Sequence, residues 1–361
     1  MKKILIAGAG KIGSLVACLL ATSNDYDVYL ADISFHGRDQ EELHGLKHLN
    51  LVTLDAQNEN ALGKFLQGKS IQAIISSLPF YCNVNVAALA KKFNVHYFDL
   101  TEDVGVSRTV TELAKGHPKA FLPQCGLAPG FISIVAHDLM SHFDTLDTVK
   151  LRVGALPQNA NNALHYSLTW SIDGIINEYA NPCYGIIDGE STELRPLHDL
   201  EAIRLDGLSY EAFNTSGGLG TLAETYAGRV QHMTYKTLRY PGHAAKMLLL
   251  MDELKLAQDR PTLKKILEGA IPKTYQDVIL IYVSVTGSQR GEFTEENYVK
   301  KVYPKVIADR HWSAIQVTTA SSLCAVVDLV LNDPSHYEGF IRQETFKLSD
   351  FLANRFATCY R

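Results

Sequence analysis

Three carboxylates stand within five positions, Asp99, Glu102 and Asp103, and a histidine closes the run Arg239-Tyr240-Pro241-Gly242-His243. Carboxylates crowded beside a desolvated pocket raise one another's pKa, and an imidazole titrates near neutrality. Asp99, Glu102 and His243 are therefore the residues expected to move a proton. Arg239 supplies a permanent, forked positive charge suited to a carboxylate. Asn214, Thr215 and Ser216 precede Gly217-Gly218 and bring side-chain and backbone donors that can serve the same anion. Lys236 shares the arginine's run, but imine formation there would need a depressed pKa that no neighbour in sequence supplies. Cys125 has no adjacent base and is expected to pack rather than react.

A second set of residues is spaced for a phosphate-bearing ligand. Gly8-x-Gly10-x-x-Gly13 follows the apolar run Lys3-Ile4-Leu5-Ile6-Ala7, and Ile12, Leu15, Val16, Leu19 and Leu20 then recur at helical spacing. The first glycine permits a tight turn, the second a close approach of backbone to a pyrophosphate, and the third close helix–strand packing. Gly8, Gly10, Lys11, Ile12 and Gly13 are thus expected to hold a dinucleotide at a helix N-terminus. The next strand, Val28–Ala31, ends in Asp32, about 20 residues on, where a carboxylate can take both ribose hydroxyls and repel a 2′-phosphate. NAD is favoured over NADP, although His36 and Arg38 leave room for the phosphorylated form. Asp55, Ser77 and Pro79 sit at later strand ends and are expected to line the same ligand, and no metal site is expected.

These residues need a frame. Apolar runs at 51–54, 73–76, 97–100 and 120–122 alternate with helix-like stretches such as 58–66 and 84–92, which predicts a doubly wound parallel sheet over residues 1–125. The rhythm changes after Gly126-Leu127-Ala128-Pro129-Gly130, so 126–310 is expected to form a second, mixed α/β domain for substrate binding and dimerisation. Within it 149–154 and 278–285 read as strands. Stretches 157–162, 189–193 and 216–220 read as loops, and 286–297 as a solvated acidic turn region. The apolar helical stretch 313–331 and Phe351-Leu352 are expected to return to the first domain, completing it over 311–361.

The chain has 361 residues, too many for one ordinary core, with 46% hydrophobic and 20% charged residues, the balance of a globular enzyme. A net charge of −5 argues against a nucleic-acid partner. No apolar run reaches the ~18 residues of a membrane span, and no secretory leader precedes the first strand. A cytoplasmic location and small-molecule partners are expected. The six cysteines form no C-x-x-C pair and are expected to be reduced and buried.

The chain resembles the saccharopine dehydrogenase family, which includes lysine 6-dehydrogenases and glutamate-forming saccharopine reductases. The resemblance rests on Phe98-Asp99-Leu100-Thr101-Glu102-Asp103, Gly126–Gly130, Phe213-Asn214-Thr215-Ser216-Gly217-Gly218, the Tyr235–His243 run and Gly339–Glu344, and so spans nearly the whole chain. It implies a Rossmann domain joined to a mixed α/β domain, commonly in a homodimer. It also implies NAD-dependent oxidation of an amine-bearing carbon in a lysine-derived amino acid, saccharopine or lysine itself. A saccharopine reductase would need a second carboxylate-binding group beyond Arg239, for which Arg152 and Arg195 are the candidates. The rival expectation is a nucleotide-binding redox sensor without turnover, since a Rossmann domain alone does not prove chemistry.

Overall fold

The structure, a computed structural model, describes residues 1–35, 43 and 45–361, so His36 and Arg38 lie outside the described residues. Two compact units divide the chain: Met1–Phe131 with Val306–Trp312 and Gln316–Arg361, and Ile132–Lys305 with Ser313–Ile315.

The first unit is built on strands β1 (Lys2–Ala7), β2 (Tyr26–Asp32), β3 (Leu49–Thr53), β4 (Ala73–Ser76), β5 (His96–Asp99) and β6 (Ala120–Leu122). Helices α1 (Lys11–Thr22), α2 (Glu59–Lys69), α3 (Asn83–Lys92) and α4 (Val104–Ala114) alternate with them. All strand pairs are parallel, in the order β6-β5-β4-β1-β2-β3. That order reverses direction between β1 and β4, the place where doubly wound sheets open a ligand crevice beyond the carboxyl ends of the strands. The central strands are covered on both faces, which is why residues 4–7 of β1 and 73–75 of β4 read as unbroken apolar runs. Helix starts are set locally: the Asn58 side chain accepts from Ala61 N and caps α2, and Asp103 accepts from Val106 N and caps α4.

In the second unit a mixed eight-stranded sheet contains β7 (Thr145–Pro157), β8 (Cys183–Ile187), β9 (Glu190–Leu194), β10 (Glu201–Leu205), β11 (Leu208–Asn214), β12 (Val230–Arg239), β13 (Asp277–Gln289) and β14 (Glu292–Val302). Its main path runs β10-β11-β12-β7-β13-β14, with β8 and β9 attached to β12. Only β12 and β7 run parallel. Helices α5 (Phe131–Met140), α6 (Ile172–Ala180), α7 (Leu222–Tyr226), α8 (His243–Leu248) and α9 (Arg260–Ala270) accompany the sheet. A core of Tyr166, Ile175, Ile176, Tyr179, Phe213, Met247, Leu263 and Leu267 joins α6, α8 and α9.

The remaining elements are β15 (Lys305–Ile307), β16 (Arg310–Trp312), α10 (Ala314–Asn332), β17 (Gly339–Phe340) and α11 (Leu348–Ala353). β17 adds a seventh parallel strand beside β6. Residues of α10 from Gln316 onward belong to the first unit, where Tyr26 Oη donates to Asp328 at 2.5 Å and Gln316 Nε2 donates to the Lys11 carbonyl at 3.0 Å. By length and composition α10 could cross a membrane, contrary to the expectation of no such segment. Its Val317, Leu323, Val326, Val327 and Val330 are at most 1% exposed, the setting of a core helix.

Two stretches expected as irregular are strands. The region 286–297 is a hairpin: β13 continues to Gln289, Arg290 and Gly291 turn with φ of 54° and 84°, and β14 returns. An edge strand is paired on one side only and keeps many side chains in water, so its polar composition conceals it. The region 189–193 is likewise the start of β9, entered through Asp188-Gly189 with φ of 52° and 82°. Asp-Gly with positive φ at both residues is the two-residue hairpin turn that matches strand twist.

Candidate functional site

At the carboxyl end of β1 the three glycines answer three separate steric demands. Gly8 has φ +102°, and a Cβ there would sit 2.7 Å from the Ser77 carbonyl oxygen on the neighbouring β4 turn. A Cβ on Gly13 would meet the Gly8 carbonyl at 1.9 Å, so the helix could not lie so close to the turn. Gly10 caps α1 and a Cβ there would meet nothing within 4 Å, leaving open space at the helix N-terminus for an anion. These are the shapes a pyrophosphate cradle requires, and the residues fit a dinucleotide. Lys11 and Ile12 form the first turn behind the cradle.

Asp32, half-buried at the end of β2, ties the glycine turn to the end of its own strand. Its Oδ2 accepts from Ala9 N at 2.7 Å and its Oδ1 from Ser34 N at 3.3 Å. Each oxygen keeps a further lone pair for a ribose hydroxyl. Asp55 is exposed and its Oδ1 accepts from Gln57 N at 2.8 Å, closing a turn after β3. Ser77 is half-buried with its N–H given to Ala7 O, and Pro79 is exposed beyond it.

The acids at the end of β5 separate into different environments. Asp99 is fully buried and accepts from Tyr97 Oη at 2.7 Å, Thr101 N at 2.9 Å and Gln124 N at 3.1 Å. Burial pushes its carboxyl up to about 6, against the pull of those three donors. This geometry makes Asp99 the clamp of two loops. Asp103 is the cap of α4, and Glu102 is half-buried between them. Cys125 is fully buried, donates to the Leu122 carbonyl and accepts from Gln343 Nε2 at 3.3 Å, and burial pushes its thiol up. All six cysteines are buried and none is in a disulfide among the described residues.

In the second unit β12 delivers Arg239, 2% exposed, against α6 and α8. Its Nε donates to Tyr179 Oη at 3.0 Å and its Nη1 to the Leu238 carbonyl at 2.9 Å; Nη2 has no protein partner among the described residues. The guanidinium lies over the rings of Tyr166 at 4.8 Å and Tyr179 at 5.9 Å. Burial opposes its charge, but the oxygens of Tyr179 and Tyr166 and the Glu178 carboxylate hold its pKa above the usual value.

His243 completes the cluster. Its Nδ1 lies 2.8 Å from the Leu164 carbonyl, which can only accept, so Nδ1 carries the hydrogen. Its Nε2, 3.1 Å from Tyr179 Oη, is then the acceptor of the phenolic hydrogen. Burial and the Arg239 charge hold the imidazole down to about 3. His243 is thus a neutral ring with both nitrogens engaged. Glu211 fixes the helix that carries it, accepting from Gly242 N at 2.8 Å and Ala244 N at 2.6 Å.

The loop residues Asn214, Thr215 and Ser216 are buried and bonded inward. Asn214 Nδ2 donates to the Arg195 carbonyl and to Asp199, while its Oδ1 lacks a partner among the described residues. Thr215 and Thr237 hydroxyls meet at 2.8 Å, and Ser216 Oγ donates to the Pro182 carbonyl at 2.8 Å. Lys236 donates to the Asp199 carbonyl and has its pKa lowered, by burial and by Arg152. Arg152 is engaged by Glu201 at 2.7 Å and by the Thr234 carbonyl at 2.7 Å, and Arg195 is an exposed residue 3.5 Å from Asp252. Sequence reasoning missed Tyr166, Tyr179 and Glu211. The tyrosines fall among apolar residues as ordinary core, and nothing local joins them to Arg239.

Several known proteins resemble this chain. The profile "Saccharopine dehydrogenase NADP binding domain" matches residues 4–120, and "Saccharopine dehydrogenase C-terminal domain" matches residues 126–356. The mitochondrial alpha-aminoadipic semialdehyde synthase of Bos taurus is 24% identical over 327 residues, covering 83% of this chain and 33% of that protein. Its Arabidopsis thaliana counterpart is 24% identical over 280 residues, covering 68% and 26%. The chain thus spans about a third or less of the length of these curated relatives. Apo saccharopine dehydrogenase (L-Glu forming) from Saccharomyces cerevisiae superposes with a TM-score of 0.77 at 16% identity, covering 98% of this chain and 96% of that one. That likeness establishes a shared fold.

Proposed function

Because this chain belongs to the saccharopine dehydrogenase family, we propose that it is an oxidoreductase that removes hydride from an amine-bearing carbon of a lysine-derived amino acid, saccharopine or lysine, with NAD as acceptor. The observation that carries the substrate class is the buried guanidinium of Arg239 with Nη2 left to a ligand. Tyr179, Tyr166 and the Glu178 carboxylate already favour the charge, and the remaining edge of the guanidinium is a fork that an amino-acid carboxylate matches.

The bound nicotinamide would supply the hydride acceptor. Gly8, Gly10 and Gly13 would hold the pyrophosphate and Asp32 the adenosine ribose. The family profile is named for NADP, but a 2′-phosphate would have to approach the Asp32 carboxylate, so the reading favours NAD. Hydride leaves readily only from a neutral amine, so a base must take the ammonium proton. Asp99 and His243 are buried, whereas Glu102 is half-buried just past the end of β5, and that task is assigned to Glu102.

An amine panel assayed with NAD and NADP at mildly alkaline pH tests the reading. Nicotinamide reduction with saccharopine or lysine is expected, faster with NAD. Turnover of 2-hydroxy acids with none of any amino acid would overturn it.

A further inference from the structure

At the amino ends of β1 and β2 the first unit holds a polar cavity of about 700 Å³. β1 rises ~3.3 Å per residue, so Lys2 at its start lies about 20 Å from Gly8 beyond its end. Four charged side chains line the cavity, Lys2 and Arg355 with Asp25 and Asp328, beside the amides of Gln72 and Asn332. They come from β1, the turn before β2, α10 and the segment after α11.

Three of the four charges are tied to one another. Arg355 Nη1 donates to Asp25 and its Nη2 to Asp328 Oδ1 at 2.8 Å. Asp328, 4% exposed, also accepts from Tyr26 Oη and, at 2.9 Å, from Asn354 Nδ2. Lys2 is the exception. Its Nζ donates to Asn332 Oδ1 at 2.5 Å and lies 5.7 Å from the centre of the Tyr26 ring. No carboxylate among the described residues stands within the 4.0 Å of an ion pair with it. Burial pushes the Lys2 pKa down against the pull of Asp328 and Asp25, and two of its three hydrogens remain for a ligand. Asp25 is exposed and meets Arg355 through Oδ2 alone, which leaves Oδ1 to accept.

We propose that this cavity binds the head group of a free amino acid, with the ligand's carboxylate on Lys2 and its ammonium on Asp25. The charges select the class. Two cations and two carboxylates sum to zero, so a phosphate would meet Asp25 and Asp328 as well as Lys2. A simple amine would likewise meet Lys2 and Arg355 as well as Asp25. A zwitterion sets each of its charges beside the opposite one. The amides add neutral donors for the carboxylate. Gln72 Oε1 accepts from Lys3 N at 3.1 Å and leaves its Nε2 hydrogens, and Asn332 accepts from Lys2 and leaves those on Nδ2. The volume lies within the ~300–1,000 Å³ of small-molecule sites, room for a whole amino acid. The site uses neither Arg239 nor the glycine cradle, so the inference stands apart from the proposed reaction.

Calorimetric titration of the full chain with each of the common amino acids at millimolar concentration, without cofactor, tests the site. At least one should bind. The same compound lacking its amine or its carboxylate should bind about tenfold or more weakly, and so should inorganic phosphate. Lys2→Met and Asp25→Asn each remove one charge from the cavity, and the second keeps an oxygen for Arg355. Both should weaken the binding about tenfold or more with an unchanged circular dichroism spectrum, whereas Arg239→Ala should leave it intact. Binding that survives both cavity variants, tighter binding of phosphate or of a simple amine, or silence with every amino acid would each overturn the proposal. These readouts need no turnover, so failure of the proposed reaction leaves them decisive.

Discussion

Arg239 donates its Nε hydrogen to the hydroxyl of Tyr179 across 3.0 Å, and this bond fixes the direction of the protons beyond it. Because the phenol oxygen accepts from the guanidinium, its own hydrogen turns to His243 Nε2, and the imidazole's remaining hydrogen goes to the Leu164 carbonyl. A permanent charge, a phenol and a neutral ring are thereby locked in one orientation, with Nη2 of the guanidinium left outward from the chain of bonds.

Removing the charge and removing the link should be separable. Arg239→Ala should raise the amino-acid KM by the loss of a charge-assisted bond, about 1.5–3 kcal/mol, while leaving the dissociation constant for NAD unchanged. Tyr179→Phe keeps the charge but strips a partner from two buried groups, so it should lower unfolding stability by about 1–3 kcal/mol in urea titrations. Equal KM in parent and Arg239→Ala would refute the anchor.

The buried titratable groups set opposing pH trends. His243, held down to about 3, and His96, held down to about 4 by burial and by Lys119 and His117, contribute stability above the ordinary histidine value of 6.5. That stability falls as pH drops from 6.5 toward those values, by about 1.4 kcal/mol per unit for each ring. Asp99, raised to about 6, acts oppositely: its contribution is full below 3.8 and is lost as pH rises through 6. From these groups melting temperature should rise between pH 4 and 6.5, and Asp99→Asn should make the rise steeper. A profile that Asp99→Asn leaves unchanged would contradict the raised carboxyl.

Asp32 should govern the choice of cofactor. Asp32→Asn keeps an acceptor for Ala9 N but removes the negative charge at the ribose. The variant should bind NAD more weakly and NADP more tightly, shifting their affinity ratio by about tenfold or more, as read by fluorescence titration. An unchanged ratio would remove Asp32 from the cofactor site.

What the sequence discloses depends on how many physical demands fall on one residue. Gly8, Gly10, Gly13 and the strands around them are legible because steric limits and two-sided burial admit few residue types there. β14 is hidden because one-sided pairing in water tolerates Glu, Lys and Asn as well as Val. Asn214, Thr215 and Ser216 look like ligand donors from their types, yet Asn214 Nδ2 donates to the Arg195 carbonyl and Asp199, the Thr215 hydroxyl meets Thr237 on β12, and Ser216 Oγ donates to the Pro182 carbonyl. Tyr179 lies 60 positions from Arg239 in sequence, and only the packing of α6 against β12 makes the pair.

Proton transfer gives the sharpest discrimination among the acids at the end of β5. Glu102 is half-buried, whereas Asp99 is wholly buried with three donors on its carboxylate. Replacing a base by its amide keeps shape and removes the acceptor, so Glu102→Gln should lower kcat by about 10²–10⁴ with little change in substrate KM. Asp99→Asn leaves an amide oxygen for the Thr101 and Gln124 N–H groups and an amide NH2 that can donate to the Tyr97 oxygen, so it should lower kcat by less than about tenfold. The pH profile adds a second readout: the alkaline rise in kcat/KM from substrate deprotonation should persist in Glu102→Gln, while any acidic limb due to the carboxylate should vanish. A kcat in Glu102→Gln within about tenfold of the parent, alongside a large loss in Asp99→Asn, would move the base to the buried acid and require Asp99 to become accessible during turnover.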